Sequence, residues 1–210
     1  MRRKTCFSDF RIYDRRRMLL YFECEKIHAA SFLFAIISEI PFNLIMGSSV
    51  FYPFHQNVLW TFLLGVLSIQ IIEKAKKKQK KWISFFVVCL VLLMDFLLGT
   101  ITMVDYNAAG ILTVLLFYFF RKKTWISFAA QLVGLYYLNV VMLGNLYYPV
   151  TILGHHFEIA QQSFALLALI PIWLYHGEQG YHSKWFKYFC YAFYPVHFLI
   201  LFVIWQWRIR

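Results

Sequence analysis

Long apolar stretches alternate with short polar breaks from His28 to the end of the chain. A helix rising ~1.5 Å per residue needs roughly 20 mostly apolar residues to cross a bilayer. The pattern predicts helices over residues 28–46, 58–73, 82–102, 107–120, 125–147, 161–175 and 188–207. The fourth and sixth are short, so they tilt little, begin deeper than drawn, or sit in a thinned bilayer. The fold class expected is all-α, a polytopic transmembrane bundle of about seven spanning helices. Two regions follow: a basic N-terminal segment, 1–26, and one multi-helix membrane domain, 27–210.

Composition agrees. Of the residues, 61% are hydrophobic and 21% aromatic, and the mean hydropathy is +0.59. A soluble domain of 210 residues has no means of hiding that much apolar surface. The formal net charge is +11, from 21 Lys and Arg against 10 Asp and Glu. In a soluble protein this excess would suggest nucleic acid. Here it is gathered into loops, at Arg15 to Arg17, Lys74 to Lys81, Arg121 to Lys123, and Lys184 with Lys187. That distribution sets orientation and attracts anionic lipid, and nucleic acid is not an expected partner. An N-terminus inside the cell puts every run inside. Loops 47–57, 103–105 and 148–160 then face outward and carry almost no Lys or Arg. Arg208 and Arg210 fall outside, on a tail too short to govern topology. The four cysteines form no CxxC, and residues 1–26 lack the apolar core and cleavage site of a signal peptide.

Ionisable groups are expensive in hydrocarbon and usually face a cavity or a partner. Glu39 lies in FAIISEIPFNL, two residues before Pro41. Proline frees a backbone carbonyl one turn back, and the helix can kink or stop there. Glu39 then lines a cavity, caps a helix end, or pairs with a cation. His55, Gln56 and Asn57 precede the second helix and either cap it or bind a carbonyl or oxyanion. Asp95 is embedded in LLMDFLLG. Asp105 is ten residues on, about 15 Å along a continuous helix and too far for a carboxylate pair. It is a natural N-cap for the helix starting at Asn107, with Gly110 allowing a close neighbour. Gln131 and Asn139 suit interhelical hydrogen bonds. His155, His156 and Glu158 form no zincin motif, and no metal is expected. His197 is flanked by apolar residues, in YPVHFLIL. It is either structural or, as an imidazole titrating near neutral pH, a general base.

Five segments in series carry a resemblance: FAIISEIPFNL, FHQNVLWTFLLGVLSI, DYNAAGILTVLLFYFFRKK, QQSFALLALIPIWLYHGEQG and FYPVHFLIL. Over roughly residues 34–204 the chain resembles the TraX family, named for the F-pilin N-acetylation protein. The resemblance implies an integral protein of the bacterial inner membrane, multi-pass. It also implies transfer of an acetyl group from acetyl-CoA to an amine or hydroxyl acceptor, the pilin N-terminus in the founding case. His197, Glu39 and Tyr194 fall in the motifs that match, and their chemistry makes them the candidate catalytic residues. Gln56, Asn57, Asp105 and Tyr106 would bind substrate, and Tyr175, Gly177 and Gly180 would bind the acetyl-CoA. Membrane lipids and a pilin or other membrane or secreted acceptor are the partners implied.

This chain departs from the family at several points. Members usually begin with two further helices, the first bearing an Asp-His pair. Residues 1–26 are short and charged, and no Asp-His dipeptide occurs in the chain. If that pair is the acid and base, the chain is expected to be inactive or altered at its N-terminus. His176, Glu178 and Gln179 stand where Asn and a basic residue are common, and Asn107 where Gly is frequent. Acyl transfer to an amine needs a base, for which His197 and Glu39 are the candidates. It also needs a donor to the developing oxyanion, for which Asn57, Gln56 and Tyr194 are candidates. Two other readings fit the same residues: an ion- or proton-coupled transporter using Glu39 and Asp95, and a catalytically inactive membrane assembly factor.

Overall fold

A computed structural model of the chain describes residues 28–144, 146–152, 155–175 and 183–209. The basic segment 1–26, Gly177 and Gly180 lie outside them. In order come α1 (His28–Gly47), α2 (Val58–Lys78), α3 (Lys81–Ile101), α4 (Asn107–Phe119) and α5 (Trp125–Tyr136). A π-helical turn (Tyr137–Met142) extends α5 and is followed by strands β1 (Tyr147–Ile152) and β2 (His155–Ala160). A 3-10 segment (Gln161–Ala168) leads into α6 (Leu169–Leu174), and α7 runs from Lys184 to Ile209.

Four helices are long and apolar enough to cross a membrane: α1, α2, α3 and Trp125–Met142, which joins α5 to its π turn. Two shorter apolar helices, Asn107–Phe119 and Gln161–Leu174, accompany them. The seven spans expected from the sequence are therefore supported for four. The bundle is a membrane protein by the character of its outer faces. On α3, Phe85, Phe86, Leu90 and Leu93 all stand exposed, as do Trp125 and Ile126 on α5. Water would penalise such a face and lipid would not.

Caps and glycines fix the packing. Asn57 caps α2 by accepting from the Leu59 N–H at 3.0 Å. Lys76, Lys77 and Lys78 occupy the last turn, where the helix dipole favours cations. The lysine run thus continues α2 beyond the expected end at residue 73. Helices α2, α3 and α4 meet around Ile72, Val91 and Leu115. The α3–α4 approach is close enough that a Cβ on Gly99 would lie 2.7 Å from the Ala108 backbone. A Cβ on Gly110 would lie 2.6 Å from the Thr61 methyl, the close neighbour that the sequence suggested.

Helix α1 runs past Pro41 to Gly47, close to the span of 28–46 expected for it. Three other expectations need correction. The stretch after the π turn, expected as helix to residue 147 and then loop, includes an antiparallel hairpin with Tyr147 opposite Ala160. Asp105 is not the N-cap of α4. Tyr106 holds that place with φ 63° and no side-chain cap, because the Asp105 carboxylate turns to His55 instead. Asn139 bonds the Leu135 carbonyl of its own helix at 3.0 Å rather than a neighbour. Gln131 does bridge, donating to the Phe120 carbonyl and accepting from Trp173 Nε1, each at 2.8 Å.

Candidate functional site

The polar residues expected to matter converge where α2 and α4 begin. Helix α1 runs eight residues past Glu39 to Gly47, about 12 Å. Yet Asn57, the N-cap of α2, bonds back to the level of Ala35 and Glu39. The segment from Ser48 to Asn57 therefore folds down beside α1 instead of staying at its end. This also explains the shortness of α4, which starts at the same depth. Irregular backbone at such depth is tolerated where protein buries it or where it lines a watery cavity.

Two loops are stitched together there. The Gln56 N–H donates to the Met103 carbonyl at 3.0 Å, and the Asp105 N–H donates to the Gln56 carbonyl at 2.8 Å. They form a parallel bridge of Gln56 with Val104. Thr61 Oγ1 donates to the Asp105 carbonyl at 2.7 Å and pins this loop to α2. Met103, Tyr106 and Asn107 all have positive φ, an unusual run without glycine. The N-termini of α2 and α4 are thereby held side by side, two partial positive charges facing one region.

Glu39 is clamped from that side. Its Oε2 accepts from Asn57 Nδ2 and, at 3.0 Å, from Trp60 Nε1. Asn57 is fully buried, and its amide also donates to the Ala35 carbonyl at 2.9 Å. The second carboxylate oxygen, Oε1, is buried and has no hydrogen-bond partner among the described residues. A half-satisfied carboxylate held by two donors is an open acceptor.

Above it, His55 Nε2 lies 3.4 Å from Asp105 Oδ1. The imidazole lies nearly parallel to the buried Phe42 ring, at 11° and 5.8 Å between centroids. Burial pushes the Asp105 carboxyl above its ordinary value, and the neighbouring His55 offsets only part of that. The His55 contact and burial pull in opposite directions, and desolvation is the larger effect. Burial and the Asp105 charge likewise push the Tyr106 phenol up.

Helix α7 closes the group. The Tyr194 hydroxyl faces the Val58 N–H, within the fields of Asp105, Glu39 and Tyr106. Phe198 touches both Tyr194 and His197, and its ring meets Phe42 edge-on at 5.6 Å. His197 Nδ1 lies 3.1 Å from the Phe193 carbonyl. A carbonyl only accepts, so Nδ1 carries the proton and Nε2 is left with its lone pair. The ring stacks on Phe193 at 12°. Helix α7 starts four residues earlier than expected, and the Phe42–Phe198 contact puts Tyr194 level with Glu39.

The structure thus gathers Glu39, Gln56, Asn57, Asp105, Tyr106 and Tyr194, with His197 on the adjoining wall. It does not bring Tyr175 to them. The Tyr175 and Trp173 carbonyls accept from Lys123 Nζ, so Tyr175 sits at the basic end of the bundle. From the sequence His55 stood only as a cap or carbonyl binder, and its pairing with Asp105 comes from the structure. Its only signal was a place in the polar run before α2.

Two other features lie apart from the group. Asp95 and Ser68 are buried together between α3 and α2, with Ser68 Oγ donating to Asp95 Oδ1 at 2.7 Å and Asp95 Oδ2 without a partner among the described residues. A groove of about 300 Å³ opens at the lysine-rich ends of α2 and α3, lined by Lys76, Gln79, Lys81 and Ser84 over Phe85 and Val88. No group of three or more His, Cys, Asp or Glu able to hold a metal occurs among the described residues.

Comparison with known proteins gives one result. No curated protein and no solved structure matches the chain. The family model described as TraX protein matches residues 24–205, which covers α1 through most of α7. The chain therefore belongs to the TraX family.

Proposed function

We propose that this protein is a membrane-embedded acyltransferase that moves an acetyl group from acetyl-CoA to an amine or hydroxyl acceptor. A pilin N-terminus, the acceptor of the founding family member, is the first acceptor to test. The reading places the protein in a bacterial inner membrane with its N-terminus and lysine runs inside. The observation that carries it is the open Oε1 of Glu39, in a carboxylate clamped by Asn57 and Trp60 beside two helix N-termini and the Tyr194 hydroxyl.

The chemistry follows from those groups. Glu39 accepts a hydrogen bond from the attacking amine and orients it. The Tyr194 hydroxyl donates to the thioester oxygen as it becomes an oxyanion, with the N-termini of α2 and α4 adding favourable field. His197, with Nε2 free, borders the same wall. The lysine-rich end attracts the polyanionic donor from the cytoplasm. Lys76 is nineteen residues from Asn57, about 28 Å along α2, so the donor's thioester arm must thread between helices to reach Glu39. Purified protein in nanodiscs, given acetyl-CoA and a primary amine, should release free thiol and acetylate the amine. No release with any amine or alcohol tested would refute this function.

Buried Asp95 with its unpartnered oxygen favours a second reading, a proton-coupled transporter. Proton flux into proteoliposomes that disappears in Asp95→Asn, without acetyl transfer, would select it.

A further inference from the structure

We propose that His55 is the proton acceptor of this site and that Asp105 is its positioning residue, a through-space Asp–His pair assembled from two loops. The inference rests on the acyltransferase reading and goes beyond it by naming a base that the motifs did not.

Geometry carries it. Residues 55 and 105 are brought together by the Gln56–Val104 bridge, not by chance rotamers. The Asp105 backbone is fixed in turn by Thr61. Asp105 Oδ1 approaches Nε2, so Nε2 carries the proton and Nδ1 keeps its lone pair. The 3.4 Å separation is loose, as catalytic pairs often are before substrate tightens them. Phe42 holds the ring plane from one side. The side chain is 37% exposed, so a substrate can reach it. The titratable group against it is Asp105, with Tyr106 and Tyr194 next to that carboxylate and Glu39 beyond Tyr194. His197 by contrast is stacked among Phe193, Tyr194 and Phe198.

In the step, the amine nitrogen bonds to the thioester carbon and the carbonyl becomes an oxyanion. His55 Nδ1 takes the N–H proton. The oxyanion collapses, the C–S bond breaks, and the proton passes to the leaving thiolate. Amine and acetyl thioester become acetamide and thiol, with nothing else consumed.

The test uses the full chain in nanodiscs with acetyl-CoA and alaninamide, and ¹⁵N-histidine spectra of the same samples. His55→Gln should lower kcat by about 10²- to 10⁴-fold, with KM for acetyl-CoA changed less than about threefold. His55→Gly should recover turnover when imidazole is added. Asp105→Asn should move the acidic limb of the pH–rate profile. His156→Gln, on the hairpin, should match wild type. The spectrum should show His55 protonated on Nε2 and bare on Nδ1, and Asp105→Asn should abolish that preference. Full activity in His55→Gln, or an Nδ1–H tautomer at His55, overturns the proposal. Loss on His197→Gln with His55→Gln intact overturns it too. If wild type releases no thiol, the acyltransfer reading fails by itself, and the tautomer still decides whether the pair exists.

Discussion

Asn57 joins Glu39 side chain to side chain while capping α2, so one amide both starts a helix and holds a carboxylate eighteen residues earlier in the chain. Its Nδ2 serves Glu39 and the Ala35 carbonyl, and its Oδ1 serves Leu59. No atom of that amide is spare, which is what a buried polar group requires.

Asn57→Ala removes the cap and leaves two buried acceptors short of a donor. The cap alone is worth about 1 kcal/mol, and each stranded acceptor costs about 1–3 kcal/mol. Unfolding in mixed micelles should register a loss of roughly 3–7 kcal/mol. Asn57→Asp keeps an N-cap acceptor but sets a second carboxylate against Glu39, and should also destabilise. A neutral outcome for both would mean that the clamp does not hold the site.

Gly99 tests the α3–α4 approach. A methyl there meets Ala108 backbone at 2.7 Å, and backbone cannot rotate away. Gly99→Ala should therefore cost about 1–3 kcal/mol and weaken the seating of the loop before α4. The same substitution in an open helix would be stabilising. A rise in melting temperature would show that the helices stand further apart.

Asp105 supplies a pH test. Its folded carboxyl is raised above the ordinary 3.8 by burial. The neutral form is thus favoured on folding. That contribution is complete below about pH 3.8 and is lost as pH climbs through the raised folded value. Asp105→Asn cannot ionise, so its stability should change less between pH 4 and the top of that window than wild type does. Thermal unfolding across that range checks this, and parallel curves for the two proteins would contradict it.

Much of this was legible in the sequence because lipid makes polar groups conspicuous. Glu39 and Asp95 stood out by the apolar residues on either side, and both are buried or clamped. Asn57 read correctly as a cap because the residue type and the start of the apolar run coincide. The pairing of His55 with Asp105 was not legible, since no periodicity relates two loops fifty residues apart. Nor was the folding back of Ser48 to Asn57, which depends on Asn57 reaching Ala35. The hairpin has a local signal in the sequence. Two short runs flank Leu153-Gly154, and a glycine between β-prone segments marks a turn. Helix α1 carries Pro41 without ending, because a helix held by its neighbours tolerates one missing donor.

The decisive measurement is acetyl transfer by Glu39→Gln. The variant keeps the shape of the side chain and an oxygen for Trp60 and Asn57, and removes the charge. Wild-type protein in nanodiscs should release thiol from acetyl-CoA only when an amine or hydroxyl acceptor is present. Glu39→Gln should fold and cut that release by at least about 10²-fold. Wild-type activity in Glu39→Gln would place the chemistry elsewhere in the bundle.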